Sequence, residues 1–247
     1  MGLKQETIDK VKAIMDEVFK IEDVTYVPDI KNSKLTFGNT GLKFEATVLY
    51  IDMRGSTEIL NKHNKASVAK MHMAYFHTLV KIAKSLGGEV RSFNGDSMLV
   101  FFQGTTKQTL SNAVEAAMQM KYMISNSESG INKYLAQYSA LNFGIGLDDG
   151  DILCTKIGVG GDSNNQDLMW IGNCVNKSTA ISDKCQAPNH IGISKYVYDN
   201  LTDTAKYGTR KNHWEQDEKV DMWTAAYFNY NGKTETYYYT SWHWTVT

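Results

Sequence analysis

The chain has 247 residues, 42% hydrophobic and 21% charged, enough apolar material for one large globular domain with extensions. A formal net charge of −1 excludes a global field for nucleic acid or an anionic membrane, so any polyanion it binds must be held locally. Cys154, Cys174 and Cys185 are an odd count without CxxC spacing, which argues against a disulfide framework or zinc cluster and for a reducing, cytoplasmic setting. No apolar run reaches the ~20 residues that span a bilayer. The N-terminus MGLKQETIDK lacks a signal-peptide layout, and Glu6 stands where a myristoylation signal wants Ser or Thr.

In chain order, Ile8, Val11, Met15, Val18 and Phe19 fall at helical spacing and predict an amphipathic helix over 4–21, a pre-domain or dimerisation element. Residues 22–43, with Pro28, Asn32, Gly38 and Gly41, read as an irregular connection with at most one short strand. FEATVLYI (44–51) predicts a strand. Over 65–86, Val68, His72, Tyr75, Phe76, Leu79, Ile82, Ala83 and Leu86 share a helical face that Gly87-Gly88 ends. EVRSF and MLVFF are strands joined by the hairpin signal Asn94-Gly95-Asp96-Ser97. A helix follows over 107–124, then a strand over 139–147, a turn at Asp148-Asp149-Gly150 and a second hairpin arm over 151–159. Residues 160–167 read as a surface loop, 173–185 as a helix, IGIS as a strand and SKYVYDNL as a short helix. The aromatic end YYYTSWHWTV reads as a last strand that buries Trp242 and Trp244 on one side. The methionines at 71, 73, 118, 120 and 123 read as core or dimer seam, and His72 and His77 do not share a helix face as a metal pair would.

Strand, helix, strand, strand, helix, strand is the order of an α+β, ferredoxin-like βαββαβ core, an antiparallel sheet with helices on one face. Here it carries an added hairpin, helix and C-terminal strand. The boundaries fall at 1–43 for the N-terminal helix and connection, 44–202 for the core domain and 203–247 for a C-terminal extension packed on the same domain. In that topology the first strand and central hairpin are neighbours, so Asp52 and Asp96 meet at one sheet edge. Paired carboxylates from separate elements suit two Mg²⁺ or Mn²⁺ ions ~3.5–4 Å apart, which clamp the attacking and leaving oxygens of phosphoryl transfer. Ile51 adds a backbone carbonyl, and the N–H groups of Met53, Arg54, Gly55, Ser56 and Thr57 are placed to cradle phosphates. Two turn-capping aspartates explain the same pattern equally well. Arg54 reads either as a phosphate ligand or as a structural ion-pair partner.

LYIDMRGST, GGEVRSFNGDSMLVFF and WIGNCVNKSTAISDKC resemble, in order and spacing, the three signature segments of class III nucleotidyl cyclase catalytic domains, a likeness covering 44–202. The resemblance implies a homodimer with its sites at the interface and two Mg²⁺ or Mn²⁺ ions per site on Asp52, Ile51 and Asp96. It implies that Asn176 orients the ribose while a nucleotide 3′-hydroxyl attacks its own α-phosphate and releases pyrophosphate. Ser92, four residues before Asp96, and Met169, seven before Asn176, occupy the purine-reading positions and carry neither the adenine nor the guanine code. Tyr50 is a bulky, polar-tipped wall that shrinks the base pocket.

This pattern is similar to the bacterial pyrimidine cyclases of Pycsar anti-phage defence, whose product acts on a separate effector protein. Arg91 offers only donors, which suit uracil O4 and leave the cytosine N4 amine unpaired at a cost of ~1–3 kcal/mol, so UTP is expected over CTP. If Ser92 is the inward residue of that strand, Arg91 is left to phosphate or the dimer interface. Ala180 stands where most members place an arginine that stabilises the pentacovalent phosphate, which leaves Arg91 or Lys177 as catalytic replacements. An adenylate or guanylate cyclase with an unusual pocket and a catalytically silent nucleotide-binding dimer are the alternatives. Neither a nucleic acid nor a membrane is an expected partner.

Overall fold

The computed structural model describes residues 2–158, 160, 162 and 164–246. The chain opens with α1 (Leu3–Asp16), β1 (Lys20–Asp23), β2 (Thr40–Arg54), α2 (Ser56–Lys62), α3 (Lys65–Ser85), β3 (Gly88–Asn94), β4 (Ser97–Gln103) and α4 (Lys107–Ser125). It continues through α5 (Asn132–Ala136), β5 (Asn142–Gly158), β6 (Gln166–Ile171), α6 (Asn173–Ser182), β7 (Ile191–Ser194), α7 (Lys195–Asp199) and α8 (Asp203–Lys206). It ends in two hairpins, β8 (Tyr207–Lys211) with β9 (Asp217–Asp221), and β10 (Thr224–Tyr230) with β11 (Lys233–Thr240). The main sheet runs β10-β11-β7-β5-β2-β4-β3, with β1 also on β2 and β6 also on β5, while β8 and β9 pair apart. β1–β2 and β5–β7 are parallel, so the α+β core has a mixed sheet rather than a purely antiparallel one.

β2 is central because its side chains are apolar to both sides and alternate between two cores. Leu49, Ile51 and Met53 enter a core shared with Tyr75 and Leu79 of α3 and Met118 of α4. Phe44, Ala46 and Val48 face the other way, among Phe101, Ile152, Cys154 and Cys174. There Phe44, Phe101 and the partly buried Trp170 interlock with ring centroids 5.7, 6.1 and 4.7 Å apart, and fully burying each phenylalanine contributes ~1.5–3 kcal/mol. α3 and α4 start cleanly because Asn64 and Thr106 accept the N–H groups of Ser67 and Thr109.

Helices cover both faces of this sheet, not one. α6 lies on the second face, and two glycines of β5 let it approach: a Cβ on Gly144 would stand 2.4 Å from the Ser182 carbonyl oxygen, and one on Gly146 1.9 Å from that of Ser178.

Several boundaries differ from the sequence expectation for identifiable reasons. The first helix stops at Asp16, where the Asn39 amide donates to the Ile14 and Glu17 carbonyls at 2.7 and 2.8 Å and the chain turns extended to pair with β2. None of α1 is buried. Asp148-Asp149-Gly150 is not a turn: β5 runs unbroken because both of its halves pair with β2, and the Asp149 carboxylate accepts the Thr47 hydroxyl at 2.8 Å. β6 begins at Gln166, inside the expected loop, and Val159, Gly161 and Ser163 of that region lie outside the described residues. α6 ends at Ser182 rather than 185. The last strand is β11, and Trp242 and Trp244 follow it, packed partly buried against the α3–α4 core. Met71, Met118 and Met120 are core, whereas Met73 is exposed.

Because α6 rests on bare backbone, Gly146→Ala is expected to destabilise the fold by about 1–3 kcal/mol or more through overpacking, read as a lower midpoint in chemical denaturation. An unchanged midpoint would mean that α6 does not sit against β5 as described.

Candidate active site

Strand alternation carries Tyr50, Asp52 and Arg54 onto the α6 face. Tyr50 pairs with Leu99 and Asp52 with Ser97, while across β4 Leu99 pairs with Ser92 and Ser97 with Asn94. Tyr50, Leu99 and Ser92 therefore form one row across three strands, and Asp52, Ser97 and Asn94 form the next. The β3–β4 turn is the two residues Gly95-Asp96, with Gly95 at φ +61°, a conformation that glycine adopts without steric cost. Asp96 thus sits where the row holding Asp52 ends. Burial, and next the Asp96 charge, push the Asp52 carboxyl above its ordinary pKa, opposed by the Arg54 guanidinium. Burial also raises the Tyr50 phenol, which has the Ser97 side chain beside it.

Ser92 reaches the Tyr50 face through an irregularity. The ladder pairs Val90 with Val100 and then Ser92 with Leu99, passing over Arg91. Strict alternation would turn Ser92 toward α3, and the skipped residue reverses it. Arg91 is engaged elsewhere: Nε donates to the Pro28 carbonyl at 2.7 Å, Nη2 to that of Val27 at 3.0 Å, and Nη1 to the Glu89 carboxylate at 2.8 Å and the Val90 carbonyl at 3.2 Å. It fastens the 27–28 segment to β3.

Arg54 is an ion-pair partner in this structure. Nη1 donates to Asp52 Oδ2 at 2.5 Å, Nη2 to the Ser182 carbonyl at 2.5 Å and its hydroxyl at 3.2 Å, and Nε to the Cys185 carbonyl at 3.4 Å. Asp183 Oδ1 is 3.6 Å away. The guanidinium clamps the C-terminal end of α6 to the strand that carries Asp52. Ser182 and Asp183 are neighbours of the candidate site that the sequence did not single out, whereas the two-residue spacing of Asp52 and Arg54 on one strand face signals that those two can pair.

The remaining candidates are spread out. Ile51 and Met53 point into the α3–α4 core, with Ile51 registered between Met98 and Ile145. Gly55, at φ +72°, turns the chain into α2, whose first turn has no side-chain cap. Ser56, Thr57 and Asp96 line a cavity of about 340 Å³ with Leu60, His72 and Gly95. Asn176 is exposed on α6. Lys177 is held by Glu235 at 2.7 Å, 5.3 Å from the centre of the Tyr230 ring. Met169, 43% exposed, faces away from the buried side of β6 and stands opposite Thr155, well along β5 from the Gly146 that pairs with Tyr50. Ala180 packs on the cluster of Phe228 and Tyr237 from the last hairpin.

Among the described residues no three or more His, Cys, Asp or Glu side chains gather as a metal cluster. The Asp52–Asp96 pair still fits a hard divalent cation, which takes one or two carboxylates and fills its shell with water and phosphate oxygens. The Asp96 charge, which adds to burial in raising Asp52, is what such a cation would offset, since Arg54 is shared with Asp183. In the α3–α4 core, Tyr75 is fully buried, and its hydroxyl has no hydrogen-bond partner.

Residues 42–240 match the model of the adenylate and guanylate cyclase catalytic domain. The chain is 29% identical over 250 residues to the Uridylate cyclase of Xanthomonas perforans, covering 100% of both chains. It is 26% identical to the Uridylate cyclase of Burkholderia cepacia, across 96% of this chain and 98% of that relative. The crystal structure of the guanylyl cyclase Cya2 shares the fold, with a TM-score of 0.65 at 19% identity over 81% of this chain and 93% of that one. With the domain match spanning most of the chain and the fold agreeing, the protein belongs to the adenylate and guanylate cyclase catalytic domain family, the class III nucleotidyl cyclases.

Proposed function

We propose that the chain converts a pyrimidine nucleoside triphosphate, UTP in preference to CTP, into its 3′,5′-cyclic monophosphate and pyrophosphate. The observation that carries this reading is the Tyr50–Leu99–Ser92 row beside the Asp52–Asp96 pair. A phenol there narrows the space for a base, and the Ser92 hydroxyl can donate or accept, so it reads a pyrimidine edge without demanding a purine. The preference for UTP draws its support from the full-length relatives named Uridylate cyclase. It draws none from Arg91, whose donors are spent on main-chain and Glu89 oxygens.

In this reading Asp52, Asp96 and the Ile51 carbonyl hold two Mg²⁺ or Mn²⁺ ions, which when bound neutralise charge on the attacking and leaving oxygens. The chain does the rest. Arg54 fixes one oxygen of Asp52, the N–H groups of Gly55, Ser56 and Thr57 face the phosphates, and Asn176 of a second subunit orients the ribose. The 3′-oxygen bonds to the α-phosphorus as the bond to pyrophosphate breaks, and the hydroxyl proton leaves to solvent. Lys177 is neutralised by Glu235 and Ala180 replaces the family arginine, a loss of ~10²–10³ in rate where one such contact is missing. The same observation favours a second reading, a silent nucleotide-binding dimer. The cytoplasmic homodimer, an effector protein for the product and the role in anti-phage defence come with the likeness to the pyrimidine cyclases.

The test is incubation with Mn²⁺ and each of ATP, GTP, CTP and UTP, with products read by mass spectrometry. Cyclic UMP is expected, and bound nucleotide without product would select the silent dimer. Asp52→Ala and Asp96→Ala should each lower turnover more than about 100-fold; activity surviving either change would sink the metal assignment. Tyr50→Ala should raise ATP or GTP turnover relative to UTP about tenfold or more, the range open to a widened pocket, and an unaltered base profile would remove Tyr50 from it. Arg91→Ala should cost about 1–3 kcal/mol of stability by orphaning the Val27 and Pro28 carbonyls and leave the UTP to CTP ratio unchanged. A changed ratio would return Arg91 to the base pocket.

A further inference from the structure

We propose that His72 binds the terminal phosphate of the nucleotide through Nε2, as a substrate contact in the cavity that Asp96 lines. This rests on the reading of residues 55–57 as the turn that faces the phosphates. Ser56, Thr57 and Asp96 share one cavity of about 340 Å³ with His72, and Leu60 and Val68 are its apolar lining. The cavity brings together α2, the first turns of α3 and the β3–β4 turn. β2 has ended at Arg54 and β4 does not begin until Ser97. The cavity therefore lies at the strand ends, where a ligand reaches it without crossing the sheet.

The ring is fixed before any ligand arrives. Nδ1 lies 2.9 Å from the Val68 carbonyl oxygen, one turn back on α3, and a carbonyl only accepts, so Nδ1 carries the proton of that bond. That bond sets the direction of Nε2 in advance, which lowers the cost of ordering it on binding. Among the described residues Nε2 has no hydrogen-bond partner, and unlike the Tyr75 hydroxyl it is not sealed from solvent. Of the residues that line the cavity, His72 is the one with a basic side chain. The other cations of the motif-bearing segments are engaged: Arg54 by Asp52 and Ser182, Arg91 by Val27 and Pro28, Lys177 by Glu235. A triphosphate tail that reaches Ser56 and Thr57 thus meets one uncommitted nitrogen. Nε2 takes up a proton as the phosphate arrives and donates it to a phosphate oxygen, a charge-assisted bond that is roughly twice as strong as a neutral one.

The experiment measures binding of two probes by titration calorimetry with Mg²⁺: 3′-deoxyuridine triphosphate, which lacks the attacking hydroxyl, and inorganic tripolyphosphate, which lacks base and ribose. The proteins are the full-length wild type, His72→Leu, which keeps an apolar side chain against Leu60 and Val68, and His72→Ala, which serves if the leucine does not fold. Thermal melting of each runs alongside. Both variants are expected to melt with the wild type and to bind both probes about tenfold or more weakly, the loss of one hydrogen bond to a charged group. Unchanged affinity overturns the role of His72. A loss confined to the nucleotide overturns it too, since that places His72 at base or ribose, and so does a loss that comes with a lower melting temperature in both variants. A wild type that binds tripolyphosphate but not the uridine nucleotide sinks the proposed substrate and leaves His72 to be decided by tripolyphosphate alone. If the wild type binds neither, the phosphate-facing turn falls, and the His72 proposal falls with it.

Discussion

The candidate site depends on the register of β2, which is hydrogen-bonded to β4 along one edge and β5 along the other. A slip of one residue would turn Ile51 and Met53 out of the α3–α4 core and drive Asp52 into it. An unpaired carboxylate in that core costs more than any single contact could return, so the position of Asp52 is over-determined. The same ladder sets Gly146 opposite Tyr50 and Gly144 opposite Asp52. α6 thus reaches the site face where β5 offers no side chain, and one pairing scheme aligns Asp52, Tyr50 and the helix bearing Asn176.

What was legible in the sequence was whatever has a local signal. The stripe from Val68 to Leu86, the Asn-Gly turn and the apolar run into Asp52 each act within a few residues, and the structure keeps all three. Asp52 and Asp96 could be brought together because hairpin and strand are adjacent in the inferred topology. What depends on partners distant in the chain was not legible. Asp148-Asp149-Gly150 has the composition of a turn, yet pairing with β2 on both sides of it outweighs that preference. The skipped Arg91 leaves no trace in composition, although it alone decides that Ser92 shares a face with Tyr50. The faces of Lys177 and Ala180 were hidden because the last hairpin, which covers them, lies outside the motif-bearing segments.

Three cations of those segments, Arg54, Arg91 and Lys177, share a property that no motif reveals. Arg54 is bound to Asp52 and the end of α6, Arg91 to the 27–28 segment, and Lys177 to Glu235. Each guanidinium or ammonium is held by fixed oxygens, so using it for an incoming phosphate means breaking bonds to charged or main-chain groups. Removing partners from part-buried charges of this kind is costly. These side chains are therefore better understood as fasteners of the scaffold: one joins α6 to β2, one joins the N-terminal connection to β3, and one joins the last hairpin to α6.

That leaves the electrostatics of the site to its carboxylates. Asp52 and Asp183 share a single guanidinium, and the Asp96 charge adds to burial in raising the Asp52 carboxyl. A triphosphate carries several negative charges and is repelled by such a cluster, the more so where burial lowers the local dielectric. Under the proposed function, nucleotide and divalent cation must then arrive as linked events: each neutralises what the other cannot tolerate, and neither binds well alone. The feature that makes the site poor for a bare nucleotide is the one that ties substrate binding to the ions the chemistry needs, and in this chain no free arginine loosens that tie at position 180.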